Sequence, residues 1–318
     1  MICKYIILSL VALLPQQLFS AEVLGFEERN YQAQEQGEIN LPYRLFIPDG
    51  YEASVEYPLI LFLHGAGQRG TDNEAHITQT NCLPLLFTGE EVQSANPCFV
   101  VAPQVQEDSQ WVNFPWEDGS YVLDDLPIST SLNSALGILE ELKAEFSLDS
   151  SRFYVMGLSM GGYGTWDLIM RYPDLFAAAV PVCGAGDPSR AASIADIGIW
   201  IFHGDEDPTV PVGGSREMYQ ALQDAGSEAV YSEIEGRNHF SWLDACAEPD
   251  LAGWLFSHAR ETPVSIGKGS LSIGNKPQRA ETFSEFNLKG AKVDGKSGTG
   301  ASWKKGRIRV EGAAPTPH

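Results

Sequence analysis

Three residue types that together make an alcohol nucleophilic stand in order along this chain. They are a serine in Gly157-Leu158-Ser159-Met160-Gly161, an aspartate in Asp205-Glu206-Asp207-Pro208, and a histidine in Arg237-Asn238-His239-Phe240. A serine hydroxyl attacks poorly near neutral pH, so a base must take its proton, and histidine titrates in the right range. A buried acid then orients the imidazole and steadies its charged form. Glycines two before and two after Ser159 suit a tight strand-to-helix turn, where side chains would collide with neighbouring backbone. The helix that follows aims its first N–H groups at charge developing near the serine.

Six histidines compete for the role of base. His64 and His203 each end an apolar run and precede glycine, which suits loop shaping. His76 comes before the serine, His258 falls within a helix, and His318 lies in the tail. His239 remains, in a loop after the last predicted strand. For the acid, Asp207 is the choice and Asp205 the second; an acidic turn capping a helix from Gly213 is the plainer reading of Asp205.

These side chains need a scaffold that brings distant segments to one edge. Apolar, β-branched and aromatic runs alternate with helical patterns over residues 23–260, the signature of a mostly parallel sheet covered by helices. Strands are expected at 25–31, 41–47, 59–63, 99–102, 153–156, 177–182, 197–202 and 229–234. Helices are expected at 132–146, 163–170, from Gly213, and at 251–258. In such sheets the chemistry sits at the carboxyl ends of the strands. There Trp111, Phe114 and Trp116 are candidates to line a substrate pocket.

Lys4 followed by the apolar run from Tyr5 to Leu14 and small residues at Ser20 and Ala21 gives 1–21 the layout of a secretory signal peptide. That run is too short for a membrane span, so no stable membrane anchor is expected and the chain should be secreted or periplasmic. Residues 22–263 then form one catalytic domain. A Gly/Lys/Ser-rich basic stretch, 264–318, should be disordered or cloning-derived. An oxidising destination makes disulfides plausible among Cys82, Cys98, Cys183 and Cys246. Their positions favour Cys183 with Cys246, as a staple for the histidine loop, and Cys82 with Cys98. The net charge is −21, and 38 acidic against 11 basic side chains in residues 1–263 argue against nucleic acid as a partner. Neither a metal nor a cofactor is expected, since the ligand spacings are missing and serine chemistry is self-sufficient.

His64-Gly65-Ala66-Gly67, G-x-S-x-G followed by Gly162, H-G-x-x-D-x-x-V-P at 203–211 and the late Asn238-His239-Phe240 together resemble a known family. They look like the α/β-hydrolase esterases grouped with feruloyl and acetyl-xylan esterases and with polyhydroxybutyrate-depolymerase-like proteins, over about residues 23–260. The resemblance implies an α/β-hydrolase fold of about eight strands and supports Asp207 over Asp205 as the acid. It also implies an oxyanion hole made by the backbone N–H of Met160 and one from the loop at 65–67, where Ala66 fits and Gly65 or Gly67 stay open.

Three readings follow. The first is a secreted serine carboxylic-ester hydrolase acting on small or carbohydrate-linked acetyl, feruloyl or short-chain acyl esters. A prolyl-oligopeptidase-type peptidase shares fold and triad but usually carries a large extra domain. A noncatalytic binding protein would usually have lost a triad member.

Overall fold

In the computed structural model, which describes residues 23–78 and 82–261, eight strands form one sheet. They are β1 (Phe26–Tyr31), β2 (Leu41–Phe46), β3 (Tyr57–Leu63), β4 (Phe99–Pro103), β5 (Leu148–Leu158), β6 (Ala178–Val182), β7 (Gly198–Gly204) and β8 (Val230–Ile234). The order across the sheet is β1-β2-β4-β3-β5-β6-β7-β8. The β1-β2 and β2-β4 pairs are antiparallel, and every later pair is parallel.

Both faces of the sheet are covered, so its central strands read as unbroken apolar runs: all seven residues of β3 are buried. The period of two still sorts them. Leu59, Leu61 and Leu63 join one core with helices α3 (Thr130–Glu145), α4 (Met160–Arg171) and α5 (Gly213–Asp224). Ile60 and Phe62 join the other with α1 (Cys82–Thr88), α6 (Trp242–Ala247) and α7 (Leu251–Phe256). A further short helix, α2 (Glu90–Ala95), follows α1. Each sequence-predicted strand has its counterpart, whereas the short helices α1, α2 and α6 were not anticipated.

The cysteine pairing differs from expectation. The disulfide joins Cys82 to Cys246, with Cα atoms 6.1 Å apart, while Cys98 and Cys183 are buried free thiols. Packing is the reason: α1 lies against α6 on one face of the sheet, whereas Cys183 directly follows the central strand β6 and is fully buried. Cys98 lies under Phe87 and Gln93. The bond still restrains the segment that follows His239. The proposed signal peptide and tail lie outside the described residues.

Replacing both Cys82 and Cys246 by serine is expected to lower the unfolding free energy by about 2 to 5 kcal/mol. Denaturant midpoints with and without reductant check this; coincident midpoints would show that the bond constrains nothing.

Candidate active site

β5 runs straight into Ser159 and α4 begins at the next residue. The serine sits at φ 55°, ψ −119°, a strained conformation for a residue with a side chain. Neighbouring backbone holds it there: its N–H donates to Val182 O at 2.9 Å and its carbonyl accepts from Tyr163 N–H at 3.1 Å. The flanking glycines serve close approach. A Cβ on Gly157 would strike the Gly161 carbonyl, one on Gly161 the Leu63 carbonyl, and one on Gly162 the Val182 carbonyl.

Ser159, Asp207 and His239 follow β5, β7 and β8, three strands of one parallel run, so all three emerge at the same edge. The Ser159 hydroxyl donates to His239 Nε2 at 2.8 Å, and His239 Nδ1–H donates to Asp207 Oδ2 at 2.7 Å. The carboxylate is fully buried. Its Oδ1 accepts from Thr209 N–H at 2.8 Å and Val210 N–H at 3.0 Å. Burial alone would raise its pKa, but the donors from His203, His239 and these two amides outweigh that and hold it well below the usual carboxylate range.

The loop carrying His239 is fixed from several sides. Asp205 Oδ1 accepts from Gly236 N–H at 2.7 Å, so Asp205 pins the turn before the histidine rather than capping α5. Glu206 N–H donates to Arg237 O at 3.1 Å. Gly204 leaves room for the carbonyls of Arg237 and Asn238, which a Cβ there would strike.

The segment after β3 carries the second expected oxyanion donor. Its shape rests on His64, whose fully buried ring accepts from Val105 N–H at 3.0 Å through Nε2 and donates to Gly65 O at 2.7 Å through Nδ1. A 3-10 turn at Ala66–Gln68 follows. On the other side Met160 opens α4, so its N–H has no intrahelical acceptor.

Trp111 does not line a pocket. Its side chain is fully buried, its indole N–H donates to His64 O at 2.9 Å, and its ring packs edge-on against the His64 imidazole. The position after a strand pointed to the right edge, but the indole is drawn inward to satisfy that carbonyl and fill space beside Gly164. Trp116 is half-buried and packs on the core, and its carbonyl accepts from Tyr163 O–H at 2.9 Å, one turn of helix from Ser159. Phe114 packs against Tyr121.

One neighbour of the site was missed, and a second, Cys183, was expected at this edge but as a disulfide partner of Cys246. His203, read as a loop former, donates from Nε2 to Asp207 Oδ2 at 3.2 Å; its place four residues before Asp207, at the end of a strand, was the signal available. Cys183 (φ 40°) brings its thiol alongside, so that ligand-type atoms of Cys183, Asp207 and His239 lie within 4.8 Å of one another. Burial, and then the Asp207 charge, push the Cys183 pKa up and keep the thiol protonated, while the Asp207 and His239 atoms are bonded to each other. That disfavours a metal, which takes thiolates.

The likeness to known proteins agrees with this geometry. A solved thermostable esterase superposes with a TM-score of 0.68 at 37% identity, over 74% of this chain and 64% of that one. The chain has the α/β-hydrolase fold. The pattern of the prolyl oligopeptidase family matches residues 131–202 of this chain. Probable feruloyl esterase C of Aspergillus terreus is 30% identical over 179 residues, 55% of this chain and 58% of the relative. Poly(3-hydroxyalkanoate) depolymerase C of Paucimonas lemoignei is 31% identical over 159 residues, 48% of this chain and 33% of the relative. The chain thus spans between one third and three fifths of the length of these two curated relatives.

Two outcomes are expected. Gly204→Ala should displace the histidine loop and lower kcat on an ester substrate by about 100-fold with KM little changed; unaltered kinetics would show that the loop tolerates the Cβ. The second concerns pH. Burial lowers the pKa of His64 to about 4, and burial together with the His64 ring lowers that of His76 to about 3, from an ordinary 6.5. The native state therefore favours the neutral rings, and below pH 6.5 the unfolded chain binds protons the native one refuses. Stability should fall as pH drops through this window, by about 2 to 3 kcal/mol per ring at pH 4.5. Equal urea midpoints at pH 7 and pH 4.5 would contradict the assignment.

Proposed function

We propose that the chain is a serine carboxylic-ester hydrolase in which Ser159 is the nucleophile, His239 the general base and then acid, and Asp207 the acid that orients the imidazole. The observation that carries the reading is the continuous pair of hydrogen bonds from Ser159 Oγ to His239 Nε2 and from His239 Nδ1 to Asp207 Oδ2, at 2.8 and 2.7 Å. This arrangement can remove the serine proton as Oγ attacks an ester carbonyl. The backbone N–H groups of Met160 and Ala66 receive the developing oxyanion. His239 passes the proton to the leaving alcohol, and water repeats the sequence on the acyl-enzyme.

Two names among the relatives, a feruloyl esterase and a polyhydroxyalkanoate depolymerase, support acyl esters of small or polymer-linked alcohols as the substrate class. Acetyl, feruloyl and short-chain acyl esters are the ones proposed. Trp116 is the aromatic residue proposed to meet the acyl group. Extracellular action fits the 1–21 leader, the disulfide, and a relative from Arthroderma benhamiae named as an uncharacterized secreted protein. Among the described residues no helix is long and apolar enough to cross a membrane. We propose 22–263 as the catalytic domain.

A peptidase reading draws on the prolyl oligopeptidase pattern over residues 131–202. That stretch covers α3 to β7, including the serine turn, and so carries the nucleophile but neither the acid nor the base. A panel of p-nitrophenyl acetate, p-nitrophenyl butyrate, methyl ferulate and a proline p-nitroanilide distinguishes the two. Hydrolysis of the esters but not the anilide is expected, with Ser159→Ala lowering kcat by about a million-fold while leaving the melting temperature near that of the parent. Ester turnover surviving in Ser159→Ala would remove the basis of the proposal.

A further inference from the structure

The Asp207 carboxylate is held by a second histidine that the triad does not include. His203, the penultimate residue of β7, is fully buried, and its Nε2 faces two oxygens, Asp207 Oδ2 at 3.2 Å and Val210 O at 3.1 Å. Neither oxygen can donate, so Nε2 carries a proton and shares it between them. The other ring nitrogen, Nδ1, lies 2.7 Å from Ser215 Oγ, on the first turn of α5, and that hydroxyl is 3.0 Å from Gly184 O beyond the end of β6. A hydroxyl can donate to Nδ1 or accept from it, so Ser215 fixes the ring in either case.

Counting donors shows what His203 adds. Oδ1 takes the amides of Thr209 and Val210, and Oδ2 takes His239 Nδ1–H and His203 Nε2–H. Four donors fill the lone-pair directions of a carboxylate with no exposed surface. Without the His203 donor the carboxylate keeps both amides on Oδ1 but can twist about its Cβ–Cγ bond, which swings Oδ2 away from His239.

We infer that His203 is a positioning residue for the reaction, acting through Asp207. Together with Ser215 it sets the orientation in which Oδ2 accepts from His239 Nδ1. The inference rests on the esterase reading above and deepens it.

The test compares His203→Gln, His203→Asn and His203→Leu with the parent on p-nitrophenyl butyrate. A glutamine amide can place an N–H near the position of Nε2; an asparagine amide reaches only as far as Nδ1. His203→Gln should retain kcat within about threefold, whereas His203→Asn and His203→Leu should lose about 100-fold in kcat with KM within about twofold. In an Asp207→Asn background, His203→Leu should add less than about threefold, since its effect passes through the carboxylate. The low-field proton resonance of the His239–Asp207 hydrogen bond should persist in His203→Gln and broaden or shift in His203→Asn. Equal losses in all three variants tracking their melting temperatures, or a full additional loss in the Asp207→Asn background, would overturn the inference and assign His203 to packing alone. If His203→Leu does not fold, the contrast between His203→Gln and His203→Asn decides. Failure of the esterase reading is separable, because it shows as activity surviving in Ser159→Ala whatever the His203 variants do.

Discussion

A carboxylate can lie in a protein interior only where hydrogen-bond donors replace the water it has lost. Asp207 meets that condition with four, two from amides of its own turn and two from imidazoles on β7 and on the loop after β8. Much else follows from this requirement. The turn after β7 must curl so that Thr209 and Val210 point back at Oδ1, and His203 must face inward. The His239 loop must come close enough for a 2.7 Å bond. A charge satisfied on all sides is also a fixed charge, which is the property that keeps an imidazole in one tautomer and one orientation.

The serine end obeys a different constraint, that of close packing. Gly157, Gly161 and Gly162 each stand where a side chain would strike a main-chain carbonyl of β3, α4 or β6, so the elbow is wedged between neighbouring strands. Its φ of 55° persists because Val182 O and Tyr163 N–H grip the serine backbone on either side. Strain held in this way projects Oγ from the sheet edge at a constant height. The proposed triad thus joins a sterically fixed serine to an electrostatically fixed carboxylate, and the histidine has to satisfy both.

That division explains what the sequence reveals. Strands such as β3 and β4 are legible because burial on both faces makes them unbroken apolar runs, and the motif around Ser159 is legible because steric necessity restricts residue type to glycine. Asp207 and His239 are legible as candidates by their place after β7 and β8. The hydrogen bonds that bind them are a matter of three-dimensional distance. Pairing of cysteines is harder still: Cys183 and Cys246 both belong near the active-site edge, but only the packing of α1 on α6 shows that Cys246 meets Cys82, 164 residues away in sequence. Trp111 misleads for a similar reason. Its position after β4 marks the right edge, and the indole N–H, which needs an acceptor, takes the His64 carbonyl and carries the ring inward.

The His239 loop brings the two kinds of constraint together. Its backbone crosses Gly204 at a separation no other residue would allow, its first turn is tied to Asp205, and Arg237 reaches Asp244 at 2.8 Å on the helix that follows. That helix, α6, is linked covalently to α1 through Cys246. A loop must otherwise be ordered at an entropic cost of about 1 to 2 kcal/mol per residue, and here the restraints fall on both sides of the histidine, so the imidazole is delivered by its surroundings and not by its own two contacts. The Ser159 and Asp207 bonds then need only select among small rotations of a ring already in place, which is why a serine, an aspartate and a histidine far apart in the chain can hold bond lengths under 3 Å at one sheet edge.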